Sequence, residues 1–252
     1  MHPGPESRRF AVHDHRPGAA PGGARLEPMA LEVRPTGGGA AAAHEGALGH
    51  DSLLRVERHA CLAVVSDDAS ADRFLDRLLD DDGPGGSFAA TVAVHGRDTR
   101  TDPEAVRRLV GVVPSGMPLP EGAVHDVLVG TALRHGLPPE TAAERATDLT
   151  DALDLRSVER TPVAALTPGQ RSRTAVGCAL LHVPKLLLLC RPLDDVDEVS
   201  EKILHRVLGR YAASTGTVVF SSSSPEVARR MTDRLFMFCE GQVRCGCLPT
   251  AR

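Results

Sequence analysis

Two short stretches hold the residues whose types and spacing could do chemistry. The first is residues 66–73, SDDASADR, set between the apolar run 61–65 and a helix pattern over 74–79. Strand, loop, helix is the setting of a phosphate-binding loop of the form G-x-x-x-x-G-K-[ST]. On that form Ser66 and Ala71 stand for the two glycines, Asp72 for the lysine and Arg73 for the Ser/Thr. Such a loop needs glycine backbone to curl N–H groups around phosphate oxygens, a lysine to neutralise charge and a hydroxyl to hold Mg²⁺. Asp67, Asp68 and Asp72 instead set three carboxylates where a polyphosphate would sit, with Arg73 able to offset one of them. At an effective dielectric of ~20, like charges in such a cleft repel by several kcal/mol. Lys185 and Lys202 are the only lysines, and neither opens a helix after a glycine loop. The stretch therefore reads as an acidic, capped helix start rather than a nucleotide cradle.

The second stretch is residues 163–197, VAALTPGQRSRTAVGCALLHVPKLLLLCRPLDDVD. Residues 166–170 read as a turn, and 171–182 as a helix with Ala175, Cys178, Ala179 and Leu181 on one apolar stripe. Val183-Pro184 breaks it. Residues 186–189, four leucines, read as a strand buried on both faces. Cys190 beside Arg191 has the neighbours of an activated thiol, but no His or Asn base follows at a catalytic spacing, so a buried strand-end thiol is the reading. Four of the six cysteines lie in apolar patterns, where a thiol behaves as a small hydrophobe. Cys245-Gly246-Cys247 lacks a second ligand pair at zinc spacing, and His13 and His15 sit in a polar tail, so no metal site is assigned.

The elements that must position these stretches follow in chain order. Residues 1–28, rich in Pro, Gly, Ala and Arg, read as a disordered tail. Strands are expected over 29–34, 51–57, 61–65, 89–94, 110–113 and 217–220, and a closing hairpin over 234–239 and 242–245. Residues 35–43 and 80–87 read as loops and 95–98 as a turn. Helices are expected over 103–109, 124–135, 141–155 and 199–211, with another opened by Pro225. Net charge is −4, aromatics are 3% of the chain and Trp is absent, which removes both the basic footprint and the stacking platforms of a nucleic-acid binder. No apolar run reaches the ~18 residues needed to cross a bilayer, and no secretory h-region opens the chain.

The order turn, helix, apolar strand, polar turn resembles the core of the ATP-binding cassette (ABC) ATPases. That family's signature L-S-G-G-Q-x-x-R is matched at Leu166, Gly169, Gln170 and Arg173, with Thr167 keeping a hydroxyl at the serine. Its P-K-L-L-L-L-D-E-P is matched at Pro184, Lys185, Leu186 to Leu189 and Pro192. Cys190 and Arg191 fall on its Walker B aspartate and catalytic glutamate, Ser115 on the Q-loop glutamine, Ser223 on the switch histidine and Asp197 on the D-loop aspartate. The resemblance covers residues 29–247. It implies an α/β fold with a parallel-rich core sheet, an antiparallel edge subdomain and a helical subdomain over about residues 116–165, followed by a short tail at 248–252.

The resemblance also implies where chemistry is gone. The positions that act on a subunit's own nucleotide are all replaced, while Thr167, Gly169, Gln170 and Asp197, which act across a dimer interface, are kept. Pro168 removes one N–H donor from that helix start. The expectation is a degenerate ABC transporter ATP-binding subunit without catalytic residues, unable to hydrolyse ATP alone. It would supply Thr167, Gly169, Gln170 and Asp197 in trans to a competent second ATPase. A heterodimer on transmembrane permease subunits is the favoured assembly, cytoplasmic at the inner face of the plasma membrane. ATP and Mg²⁺ enter only if shared with that partner. Two rivals are an active ATPase using Arg73 and Arg191 on phosphates, and a non-transport interaction protein on the same fold.

Overall fold

The computed structural model describes residues 29–35, 54–79, 90–232, 234–239 and 242–245. The expected tails at 1–28 and 248–252, the loops over 36–43 and 80–87, residues 51–53 and 89, and Cys247 lie outside them. Two sheets form. The antiparallel one runs β2-β1-β4-β5, from β1 (Met29–Pro35), β2 (Leu54–Glu57), β4 (Ala90–Val94) and β5 (Arg97–Asp98). The larger one runs β10-β9-β3-β8-β7-β6. It is built from β3 (Cys61–Val65), β6 (Val110–Val113), β7 (Leu186–Leu189), β8 (Thr217–Ser222), β9 (Leu235–Cys239) and β10 (Gln242–Cys245). All its pairings are parallel except β10 on β9.

The four-leucine run is explained by the strand period. Leu187 and Leu189 point into a core shared with α3 (Val124–Arg134), α4 (Pro139–Ala152), α5 (Pro168–Leu180) and α6 (Glu198–Ser214). Leu186 and Leu188 point into a second core with β1, β2, β4 and α1 (Ser70–Arg77). Successive side chains alternate faces, so a strand covered on both sides must be apolar at every position. The short helices α2 (Pro103–Leu109) and α7 (Pro225–Met231) complete the elements.

Local contacts set four of the element ends. Helix α1 starts at Ser70, inside the stretch read as a helix start, and continues through 74 because Ala71, Phe74, Leu75 and Leu78 form one buried i, i+3, i+4, i+7 stripe. Helix α5 starts at Pro168, so residues 168–170 are its first turn and not a separate turn. Helix α4 ends at Ala152, with Asp154 at φ 52 and the Leu155 N–H donating back to the Thr150 carbonyl at 2.8 Å. Strand β8 runs on to Ser222, because its last two serines are buried with hydroxyl partners.

At one end of α3 the ring of His135 stacks on His182, with centroids 4.0 Å apart and planes 8° apart. His182 Nε2 lies 3.0 Å from the Val110 carbonyl, so a proton there would donate to it. Burial lowers the pKa of both imidazoles. The charge of Arg134 adds to this at His135, and that of His135 at His182. A base held below its unfolded value stabilises the fold while neutral, so the contribution is whole above about pH 6.5 and fades as pH falls toward the folded pKa. The melting temperature should therefore drop between about pH 7.5 and about pH 5.5, and His182→Gln should flatten that slope in differential scanning fluorimetry. An unchanged slope would remove the pair from the account.

Candidate functional site at the ends of three parallel strands

Parallel pairing in the order β3-β8-β7 brings three strand ends together, with Val65 opposite Ser222 and Leu189 opposite Phe220. Ser66, Cys190 and the serines 221–223 consequently lie side by side, as the resemblance requires. Ser66 N donates to the Ser222 carbonyl at 3.3 Å, and Arg191 N to Ser221 Oγ at 3.0 Å.

The loop after β3 is closed on itself. Asp68 Oδ1 accepts from Ser70 N at 2.8 Å, Asp68 Oδ2 from Ser70 Oγ at 2.7 Å, and Ser66 Oγ from Ala71 N at 3.1 Å. The Ser70 and Ala71 amides at this helix start are thus consumed inside the chain. These hydrogen bonds hold the Asp68 carboxyl below its usual range. Ala69, the N-cap residue of α1, makes no side-chain cap, so the capping expected of this stretch is done by Asp68 and Ser66.

Of the three carboxylates, Asp72 alone is turned inward; Asp67 and Asp68 are exposed. The Asp72 side chain is 5% exposed and its Oδ2 sits 2.7 Å from Arg191 Nε. Its Oδ1 accepts the Ser221 hydroxyl. Arg191 Nη2 donates to the Asp68 carbonyl at 2.8 Å. Arg73, proposed to offset an acid, is exposed and reaches Ser70 Oγ at 3.0 Å and Asp68 at 3.8 Å, not Asp72. The partner of Asp72 is Arg191, which arrives from β7 in the sparsely populated left-handed region at φ 47.

One residue in this cluster was not singled out by the sequence reading. Asp76, one helical turn after Asp72, takes the Cys190 thiol at 3.4 Å and the Ser115 N–H at 3.1 Å on Oδ1. Two carboxylates at i and i+4 share a helix face, and together they tie α1 to the ends of β6, β7 and β8. The i, i+4 spacing was visible, but nothing in it marked the face as inward. Burial and the two aspartates push the Cys190 thiol well above the ordinary range, so it is no nucleophile. The Ser223 loop is held as well: Asp194 accepts Ser222 Oγ at 2.7 Å, Ser223 N at 2.8 Å and Ser223 Oγ at 2.6 Å. Among the described residues no group of three or more His, Cys, Asp or Glu could hold a metal ion.

Thr167, Gly169, Gln170 and Asp197 come together at a second place, where α5 and α6 begin. Thr167 caps α5 in a reciprocal box, its Oγ1 accepting from Gln170 N at 3.3 Å while Gln170 Oε1 accepts from Thr167 N at 3.0 Å. Pro168 sits at the first helical position, where its missing N–H costs nothing within the helix. Asp197 caps α6, accepting from Ser200 N at 2.9 Å and Ser200 Oγ at 2.7 Å, which lowers its pKa. Gly169 lies between the two starts, and a Cβ there would run into Asp197 Oδ2 and Ser200. Gly169→Ala should therefore lower stability by about 1–3 kcal/mol, the usual cost of overpacking, read as a drop in urea midpoint. No drop would show that the two helix starts can part freely.

No family model matches the sequence. A protein of Streptomyces coelicolor described as an ABC transporter ATP-binding protein is 34% identical over 139 residues, 54% of this chain and 24% of its own length. The sulfate/thiosulfate import ATP-binding protein CysA of Mesorhizobium japonicum is 33% identical over 118 residues, 45% of this chain and 34% of its own. The Nod factor export ATP-binding protein I of Azorhizobium caulinodans is 29% identical over 157 residues, 61% of this chain and 48% of its own. The chain thus spans between a quarter and a half of these relatives. Among solved structures, cbiO1 of Clostridium perfringens, part of the ABC transporter complex cbiONQ, superposes with a TM-score of 0.67 at 17% identity. The match covers 86% of this chain and 87% of that one. An ATP-binding subunit of another ABC transporter gives 0.67 at 18%, over 84% and 87%. Sequence relatives and fold agree: over part of its length the chain is similar to ABC transporter ATP-binding proteins, and it has the α/β fold of ABC ATP-binding subunits.

Proposed function

We propose that this chain is a degenerate ABC ATP-binding subunit that neither holds nor hydrolyses ATP in its own phosphate pocket. The ion pair of Asp72 with Arg191 carries the reading. It joins the position of the phosphate-binding lysine to that of the catalytic glutamate, with both charges opposite to what a Mg²⁺–triphosphate needs. The working-ATPase alternative requires Arg191 on phosphate, and Arg191 is already committed to Asp72 and the Asp68 carbonyl. The chain then acts as a structural or regulatory partner on permease subunits, beside a competent ATPase to which it lends Thr167, Gly169, Gln170 and Asp197 in trans. No described helix is long and apolar enough to cross a membrane.

Calorimetry with Mg-ATP on the isolated chain should give no binding heat, and turnover should be absent. Mg²⁺-dependent hydrolysis by the purified chain would sink the proposal. Thr167, Gln170 and Asp197 also cap helices here, so the trans role is read from the partner. Gln170→Ala in the assembled pair should slow the partner's turnover by far more than it shifts the melting temperature. Lost stability with unchanged turnover would return these residues to packing alone.

A further inference from the structure

A cation and a donor converge on the buried Asp72 carboxylate, the guanidinium of Arg191 and the hydroxyl of Ser221. The direction of the hydroxyl is fixed, because Ser221 Oγ already accepts from Arg191 N at 3.0 Å and its proton is left for Asp72. Arg191 Nε is buried with no aligned hydrogen bond, and its 2.7 Å approach to Asp72 Oδ2 is a charge contact off the N–H axis. A cation and an oriented hydroxyl aimed at one buried oxyanion are the parts of an anion site. Here the anion is supplied by the chain. We propose that Asp72 is an internal ligand, a tethered carboxylate seated in an oxyanion pocket made by Arg191 and Ser221, and that this contact keeps external oxyanions out.

The arrangement differs from an ordinary surface ion pair in three ways. The Asp72 side chain is almost fully buried while the Arg191 side chain is 35% exposed, so solvent reaches the pair from the arginine side. The arginine backbone is held at φ 47, a conformation that costs about 1–2 kcal/mol for an L-residue and needs a local reason to persist. The hydroxyl comes from a third element, β8, so three separately placed groups meet at one point. Tethering makes the carboxylate's effective concentration far higher than that of a free anion, and Asp67 and Asp68 at the rim add repulsion to any newcomer.

The inference rests on the degenerate reading above, and its test separates the two. Asp72→Ala removes the internal anion and leaves Arg191 and Ser221 in place. Inorganic phosphate and formate should each raise the melting temperature of Asp72→Ala in a saturable way, by mass action. Sodium chloride at equal ionic strength should not, and neither oxyanion should move the unaltered chain or the double variant Asp72→Ala/Arg191→Ala. A rise shared by chloride, a rise kept in the double variant, or no rise at all would overturn the proposal. If Asp72→Ala does not fold in chloride, Asp72→Ser takes its place. If that also fails, the yield of folded protein on refolding into phosphate against chloride reads the same question. ATP binding to the unaltered chain would sink the degenerate reading and leave the variant arm to judge the internal ligand.

Discussion

Arg191→Ala will cost about 3–5 kcal/mol of stability, the range for stranding one member of a buried ion pair. The loss will exceed that of Asp72→Ala. The asymmetry follows from exposure. Without Arg191, the Asp72 carboxylate remains 5% exposed with one hydroxyl for company, and an ion in that position is poorly solvated. Without Asp72, the Arg191 side chain, already 35% exposed in the intact chain, can turn to water, so the cost is nearer the ~1–3 kcal/mol of an unsatisfied polar group. The double variant removes both charges and should be more stable than the sum of the single losses predicts, giving a coupling of roughly 1–3 kcal/mol. Urea midpoints at a common slope measure all three. Equal single losses, or additivity in the double, would mean that the pair is a surface contact with no hold on the strand ends.

The same pair shows how much of the site could be read before the fold was known. Substitution of lysine by Asp72 and of glutamate by Arg191 was legible, because the flanking apolar strands fix where those positions fall. That the two meet was not, because they are 119 positions apart and only the parallel order β3-β8-β7 joins them. Which of the three carboxylates turns inward was not legible, because a loop sequence does not say so: Asp68 took the Ser70 amide and hydroxyl, while Asp72 was buried beside the apolar stripe of α1. Asp76 was missed for the same reason. Helix starts were misplaced where a cap was present and unread: Thr167 with Gln170 three residues on, and Pro168 between them, is a start signal at residue 168. The strands fared better, since a run such as Leu186 to Leu189 has one stable environment and the α/β layers supply it.

The second core holds both the antiparallel sheet and one face of the parallel one, so the body of the fold does not rest on phosphate chemistry. Nothing in Leu62, Val64, Leu186 or Val219 depends on a nucleotide for burial. The buried groups at the strand ends, Ser221, Ser222 and Cys190, do need partners, because they are shielded from water. Asp72, Asp76 and Asp194 provide those partners from within. Asp72, which on the proposed function stands against ATP, is thus one of three acids that satisfy Ser221, Ser222, Ser223, Cys190 and the Ser115 amide.

Arg173→Ala should be the second most damaging of these changes, at roughly 3 kcal/mol. The side chain is 8% exposed, and its Nη1 donates to the Leu153 carbonyl at 2.8 Å and the Asp154 carbonyl at 2.6 Å. Those are end carbonyls of α4, which has no basic residue in its own last turn to meet them. A charged donor to a neutral acceptor contributes about 1.5–3 kcal/mol, and the two bonds share one nitrogen, so their sum is not reached. Arg173 thus fastens the α3–α4 pair to the helix that begins with Thr167, whatever passes through that helix start. For a chain of this size each kcal/mol moves the melting temperature by about 2–4 °C, so a fall near 10 °C is expected. Arg173→Lys should recover part of it, since one ammonium can reach one carbonyl but lacks the fork. Hydrogen exchange should quicken at the Leu155 amide, which closes the α4 end on Thr150. A loss below about 1 kcal/mol, or protection at Leu155 left intact, would show that α4 closes without help and that the motif arginine serves something other than this joint.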